Sequence, residues 1–151
     1  MSDIVINPIG YVRNDVTVKK HTAWGEDVSS IVLEERYAPG LVGLGDFSHA
    51  IILVHLDQAH YVHERHLLRR PQNREDMPRV GIFAQRCKDR PNQIGVTSVE
   101  IVSVEDGKLI VRGLDAVDGT PVLDIKPYFP AYDSRDAQVP DWVDRLMEHY
   151  F

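Results

Sequence analysis

Three aspartates, Asp115, Asp118 and Asp124, fall close together in GLDAVDGTPVLDIKPY (Gly113 to Tyr128), and Lys126 and Tyr128 close the run. Just upstream, GIFAQRCKDRPNQIG (Gly81 to Gly95) supplies Arg86, Cys87, Lys88, Arg90 and Asn92. Carboxylates accept hydrogen bonds from hydroxyls and amines, arginines pair with carboxylates or phosphates, and a tyrosine ring offers a platform for a flat base. So many Gly, Pro, Asp, Arg and Asn residues between short apolar runs cost stability unless the loops grip something. Loops held by a rigid sheet are where binding chemistry is usually placed. The plainer reading of the same residues is an Asp118-Gly119 turn and an Asp124 that serves a structural ion pair.

The order of five segments carries more information than any one of them. PIGYVRND (Pro8 to Asp15), YAPGLVGLGDFSHAIILVHLD (Tyr37 to Asp57), GIFAQR (Gly81 to Arg86), RPNQIGVTSVEI (Arg90 to Ile101) and DGTPVLDIKPYFP (Asp118 to Pro130) together resemble the TsaA-like (TrmO-type) family. Members are S-adenosylmethionine-dependent tRNA methyltransferases acting on N6 of the threonylcarbamoylated adenosine beside the anticodon. Two positions depart from the family pattern: Gln93 stands where RPNPIG has its second proline, and Cys87 stands where a small hydroxyl residue is usual. The resemblance implies a single-sheeted β-barrel that binds S-adenosyl-L-methionine, acts on tRNA and works as a homodimer. It implies cofactor contacts from Asp57 and Gln58, from Arg86, from Val96, and from the Gly113-Leu114-Asp115 turn, with a further segment near Thr22, Ala23 and Trp24.

Methyl transfer to an exocyclic amine requires an aligned approach, a place for the sulfonium charge and an acceptor for the amine proton, and positioning supplies most of the rate. Within the implied site, Asp115 or Asp57 suits ribose hydroxyls or an amino group, Arg86 a carboxylate, and Val96 and Leu114 an adenine. Asp118, Asp124 and Tyr128 are the candidates for the amine and its base, with the choice among the aspartates left open.

Two other clusters invite different chemistry. His60, His63 and His66 form H-x2-H-x2-H after His55 and Asp57, and imidazoles with a carboxylate suit zinc or iron. HERH is one residue short of H-E-x-x-H, and successive steps of three drift around a helix by about 60° per pair. No metal is expected. Cys87 lies between Arg86 and Lys88, which favour a thiolate, but no histidine partner is placed beside it and a bystander thiol is the expectation.

The elements that must hold these groups are mostly strands. Ile4 to Arg13 alternates around Pro8 and Gly10; Ser29 to Leu33 and Ser48 to Leu56 are β-branched or apolar runs. Val96 to Val104 alternates cleanly, Glu105 to Lys108 supplies an Asp-Gly turn, and Leu109 to Leu114 returns, a strong hairpin signal. Glu34 to Leu44 holds at most a short helix broken by Pro39 and Gly40. Pro140 to Tyr150 reads as a C-terminal helix whose Trp142, Val143, Leu146, Met147 and Tyr150 share a face suited to core or dimer contact rather than to a cofactor. Arg69 to Arg79 reads as a long surface loop. The pattern predicts a mainly β single domain over residues 1–151, with few short helices.

Composition bounds the rest. With 151 residues, 43% apolar and 26% charged, the chain suits one folded domain. No apolar run reaches the length of a membrane span, no signal peptide is visible, and the one cysteine precludes an internal disulfide, so the expected compartment is the cytoplasm. The net charge of −6 is unpromising for nucleic acid, but its distribution is uneven. Residues 60–90 hold eight Lys and Arg against four Asp and Glu; the remainder holds nine against nineteen. Basic charge is thus concentrated beside the signature loops, as an RNA-facing edge requires, or as a solvated connector would show.

Overall fold

The computed structural model describes residues 2–151. Six strands close into an antiparallel barrel: β1 (Gly10–Arg13), β2 (Val28–Leu33), β3 (His49–His55), β6 (Ile94–Glu105), β7 (Lys108–Arg112) and β8 (Pro121–Pro127), in the order β1-β2-β7-β6-β3-β8. A separate two-stranded ribbon pairs β4 (Leu68–Arg69) with β5 (Val80–Gly81). Period-two alternation sends Val12, Ile31, Leu33, Ala50, Ile52, Val54, Leu109, Val111 and Val122 into one core.

Closure needs curvature, and two register irregularities supply it: one between Ile101 and Ser103 against β7, the other between Leu53 and Val54 against β8. It also needs close approach at the seam. A Cβ on Gly10 would lie 2.3 Å from the Val32 carbonyl oxygen, so only glycine lets β1 meet β2 there.

The expected hairpin is present, with Glu105 opposite Lys108 and Gly107 at φ +66 in its turn. The N-terminal strand is shorter than expected: residues 4–9 are not extended into the sheet, and Ile4 and Val5 are exposed. β8 is the strand that alternation does not reveal, because its prolines sit at both ends and only Val122 is fully buried. The helical segment after Glu34 is two 3-10 turns, Glu35–Leu41 and Leu44–Asp46, which carry Leu41 and Leu44 into the barrel core.

The Arg69 to Arg79 stretch differs from a free surface loop. It is the connection of the β4-β5 ribbon, anchored by buried Pro71 and Met77 and by Arg70, which donates to the Met77 carbonyl. Two short helices, α1 (His63–His66) and α2 (Pro130–Asp133), precede α3 (Asp141–Met147). α3 stops one turn earlier than the apolar spacing suggests, since Glu148 leaves helical geometry and His149 adopts φ +63.

Candidate functional site

Antiparallel closure gives the barrel two unlike ends. At one end, β1, β3 and β7 finish while β2, β6 and β8 begin. The connections there enclose a cavity of about 770 Å³, within the range of small-ligand sites. Its walls come from seven parts of the chain: residues 19–21 with Trp24, the end of β3 through Ala59, Arg69 with residues 71–72, residues 85–88 with Arg90, the first half of β6, residues 115–117 with Thr120, and the segment from Leu146 to Phe151.

Five of the seven positions implied as cofactor contacts line this cavity: Asp57, Gln58, Arg86, Val96 and Asp115. Gly113 and Leu114 lie immediately behind. Gly113 has φ +91, a left-handed turn that releases the chain from β7, and Leu114 is packed into the core. The turn thereby delivers Asp115 to the wall, where Thr97 Oγ1 donates to one carboxylate oxygen and the Tyr150 hydroxyl to the other. Arg86 reaches across to the Val96 carbonyl at 2.8 Å and has further N–H groups to offer.

The three candidates for the amine lie elsewhere. Asp118 accepts the Asn14 backbone N–H at 3.1 Å, and with Gly119 at φ +86 it forms the turn expected there. Asp124 pairs with Lys126 at 2.7 Å, four residues along β8 from Thr120, or about 13 Å of strand. Tyr128 sits beyond the far end of β8, its ring centroid 6.2 Å from that of His49. None of the three lines the cavity of its own chain.

Sequence reasoning missed Leu146, Met147, Tyr150 and Phe151, all cavity-lining. Their apolar spacing points to a helix face for core or dimer contact; Leu146 and Met147 reach the cavity from α3 itself, and the early end of α3 brings the half-buried Tyr150 to its wall. Burial, reinforced by the Asp115 carboxylate, pushes the Tyr150 hydroxyl well above the ordinary phenol range, so it remains a proton donor. No local signal announces this, because the partner lies 35 positions away in sequence.

The RPNQIG loop shows why its glutamine matters. Gln93 has φ +52, a value closed to proline. Its side-chain amide donates to the carbonyls of Leu56 at 3.0 Å and Ala59 at 2.5 Å, tying the loop to the end of β3. Cys87 also faces the cavity, with an Arg69 N–H 3.3 Å from its sulfur.

The histidines separate. His60 and His63 are exposed, whereas His66 is buried, its Nδ1 accepting the Val62 N–H at 2.8 Å. Desolvation holds the His66 pKa below its usual value, against the opposing pull of Asp89. Among the described residues no three His, Cys, Asp or Glu side chains converge as a metal site.

The donor set fits S-adenosylmethionine. Two carboxylates, Asp57 and Asp115, suit hydroxyl and amino groups, Arg86 suits a carboxylate, and Val54, Leu56, Ile94 and Val96 give apolar walls for a base. Three buried polar atoms without a partner among the described residues, Trp24 Nε1, Arg69 Nε and Gln85 Oε1, all belong to residues that line the same cavity. Unpaired buried groups are costly and concentrate where function requires them.

The N-terminal domain model of tRNA-methyltransferase O matches residues 14–134. The chain belongs to this family. It is 37% identical over 134 residues to an S-adenosyl-L-methionine-binding protein of Archaeoglobus fulgidus, covering 86% of this chain and 93% of that one. It is 31% identical to the human tRNA (adenine(37)-N6)-methyltransferase over 87% of this chain but 32% of the human protein. The crystal structure of TrmO from Pseudomonas aeruginosa superposes with a TM-score of 0.72 at 31% identity, covering 91% of this chain. This chain spans about 62% of that solved one. The barrel and the sequence family therefore agree with the resemblance carried by the five ordered motifs.

Proposed function

We propose that this TrmO-family barrel is an S-adenosylmethionine-dependent methyltransferase that modifies N6 of the threonylcarbamoylated adenosine next to the anticodon of tRNA. The observation that carries the reading is the convergence of Asp57, Gln58, Arg86, Val96 and Asp115 on one cavity. These positions come from four separate sequence segments, and only the barrel end joins them. The family's S-adenosylmethionine-binding and tRNA-methylating relatives support the same reading.

When bound, S-adenosylmethionine supplies an electrophilic methyl group on a positively charged sulfur. The chain's own residues hold and orient. Asp115, fixed by Thr97 and Tyr150, accepts from hydroxyl or amino groups; Arg86 pairs with a carboxylate; Val96 and its neighbours exclude water from a base. Transfer then depends mainly on alignment of the amine with the methyl group.

Arg69, Arg86, Lys88 and Arg90 also stand at the cavity, on the basic side of an acidic protein. Such a field draws a polyanion to the mouth. Asp124 and Tyr128 enter this reading through a homodimer in which a second copy presents them to the amine, which also deepens a site that one small barrel leaves open. Asp118, at the opposite end of β8 and flanked by the cavity-lining Val117 and Thr120, enters it from its own chain.

The test is transfer of tritiated methyl from S-adenosylmethionine to unfractionated tRNA and to tRNA lacking the threonylcarbamoyl group. Label in the first and not the second is expected. Label in neither, with S-adenosylmethionine still bound, would reduce the chain to a cofactor-binding barrel with another acceptor.

A further inference from the structure

Beyond α3 the chain doubles back over the cavity. Its residues 149 and 150 run beside residues 23 and 24, the Ala23 N–H donating to the His149 carbonyl and the Trp24 N–H to the Tyr150 carbonyl, each at 2.8 Å. Ala23 and His149, which face each other in this pairing, both have left-handed backbones, at φ +62 and φ +63. Non-glycine residues hold that conformation only where surrounding contacts impose it. The Tyr150 hydroxyl then reaches Asp115, and its ring packs edge-on against Phe151 at 4.8 Å between centroids.

We infer that this segment is part of the cofactor site and that Tyr150 is its positioning residue, acting through Asp115. The inference rests on the proposal that the cavity holds S-adenosylmethionine. A carboxylate has about four acceptor sites over its two oxygens. Thr97 takes one on Oδ1 and Tyr150 one on Oδ2, so each oxygen keeps acceptor capacity for a ligand donor. Two donors from different elements, β6 and the returning segment, fix the plane of the carboxylate before the ligand arrives. A pre-set acceptor loses less freedom on binding than a rotating one.

Tyrosine suits this role for a specific reason. Its hydroxyl pKa is raised, first by burial and then by Asp115 itself, so it stays a donor throughout the working pH range and never competes as a second anion. Arg86, on the same cavity, acts on that hydroxyl in the opposite direction, which places the carboxylate, the phenol and the guanidinium in one electrostatic group.

The seat of the tail is itself shaped. A Cβ on Gly25 would lie 2.6 Å from the backbone carbonyl carbon of Phe151. Gly25 is not among the cavity-lining residues, so adding a methyl group there pushes on the tail without touching a ligand. Trp24, buried beneath the same pairing, leaves its indole N–H without a partner among the described residues, and its emission reports whether the tail is seated.

Calorimetric titration of S-adenosylmethionine into the wild-type protein, Tyr150→Phe, Gly25→Ala, Asp115→Ala and the Asp115→Ala/Tyr150→Phe double variant tests the inference. Tyr150→Phe is expected to weaken binding roughly tenfold, the scale of one hydrogen bond to a charged group. Gly25→Ala is expected to weaken binding in the same direction and to shift Trp24 emission, read with Trp142→Phe in the background. In the Asp115→Ala protein the further Tyr150→Phe change should leave affinity unaltered, because the hydroxyl then has no carboxylate to orient. A wild-type protein that binds while Tyr150→Phe binds equally well overturns the inference alone. So does a full tenfold loss that persists without Asp115, which would mean that the Tyr150 hydroxyl acts on the ligand directly and not through Asp115. A wild-type protein that binds no S-adenosylmethionine overturns the cofactor reading and this inference together.

Discussion

The two ends of the barrel are built from the same six strands and solve opposite problems. At the far end, where β3 and β7 begin, the 3-10 turns of residues 35–46 insert Leu41 and Leu44 into the core, and the Asp106-Gly107 hairpin closes the sheet tightly. At the near end the connection after β7 adds Leu114 and Ala116 to the same core. Connections from seven regions nevertheless leave a cavity there, lined by cations, two carboxylates and three buried polar atoms without partners among the described residues. The difference separates stability from function: one end gains free energy from apolar burial, and the other spends some of it on a preorganised polar site.

That division is open to test, beginning where the largest effect is expected. Leu44→Ala at the plug should cost about 2–5 kcal/mol of unfolding free energy, as buried leucines do, with S-adenosylmethionine affinity unchanged in the folded protein. Urea denaturation beside ligand titration checks this. A large loss of affinity at constant stability would show that the ends are not independent.

The second change lies on the near end. Gln93→Pro restores the residue usual in the family, yet proline cannot adopt φ +52 and would remove the bonds to Leu56 and Ala59. A loss of about 1–3 kcal/mol is expected, with β3 and the Asp57-Gln58 wall loosened. Slower hydrogen exchange or higher stability in this variant would mean that the loop rearranges freely.

These two sites also show how far the sequence can be read. The Val96 to Leu114 hairpin is legible because alternation and an Asp-Gly turn are local signals, and the Ala50 to Val54 run announces a central strand. β8 is not, since Asp124, Lys126 and two prolines hide its single fully buried residue, Val122. Within the site, Asp57, Arg86, Val96 and Asp115 follow from ordered motifs. Tyr150 does not, because its helical spacing points to a helix that ends at Met147. The arginine-rich segment needs coordinates as well: Arg69 sits 3.7 Å from Asp89, Arg74 2.6 Å from Asp76, and Arg90 donates to the Gln85 carbonyl at 2.8 Å. Those side chains are occupied in holding the fold.

The basic rim therefore calls for residues outside these pairs. Arg65→Glu and Arg79→Glu, both exposed, should weaken tRNA binding and lower the log–log salt slope by about 0.7–0.9 for each phosphate that is no longer neutralised. Cofactor affinity should stay as in the wild type. Filter binding over a salt series decides, and an unchanged slope would confine RNA binding to other surfaces.

The smallest effect concerns pH and again lies near the cavity end. His66 is buried neutral, with a folded pKa below the ordinary 6.5. The unfolded chain consequently binds the proton more readily, so stability is intact above about pH 6.5 and declines as pH falls from there toward the folded value. His66→Gln should flatten that decline in denaturation curves taken between about pH 7 and pH 5, whereas an unchanged slope would assign the acid sensitivity to other groups.

The most direct test of the near-end cavity as an S-adenosylmethionine site is calorimetric titration of that ligand into the wild-type protein and Arg86→Ala. Saturable binding at one ligand per chain is expected, weakened in the variant by about 1.5–3 kcal/mol for one charge-assisted contact. Equal affinity in the two proteins would remove Arg86 from the site, and the absence of binding by the wild type would contradict the assignment of the cavity itself.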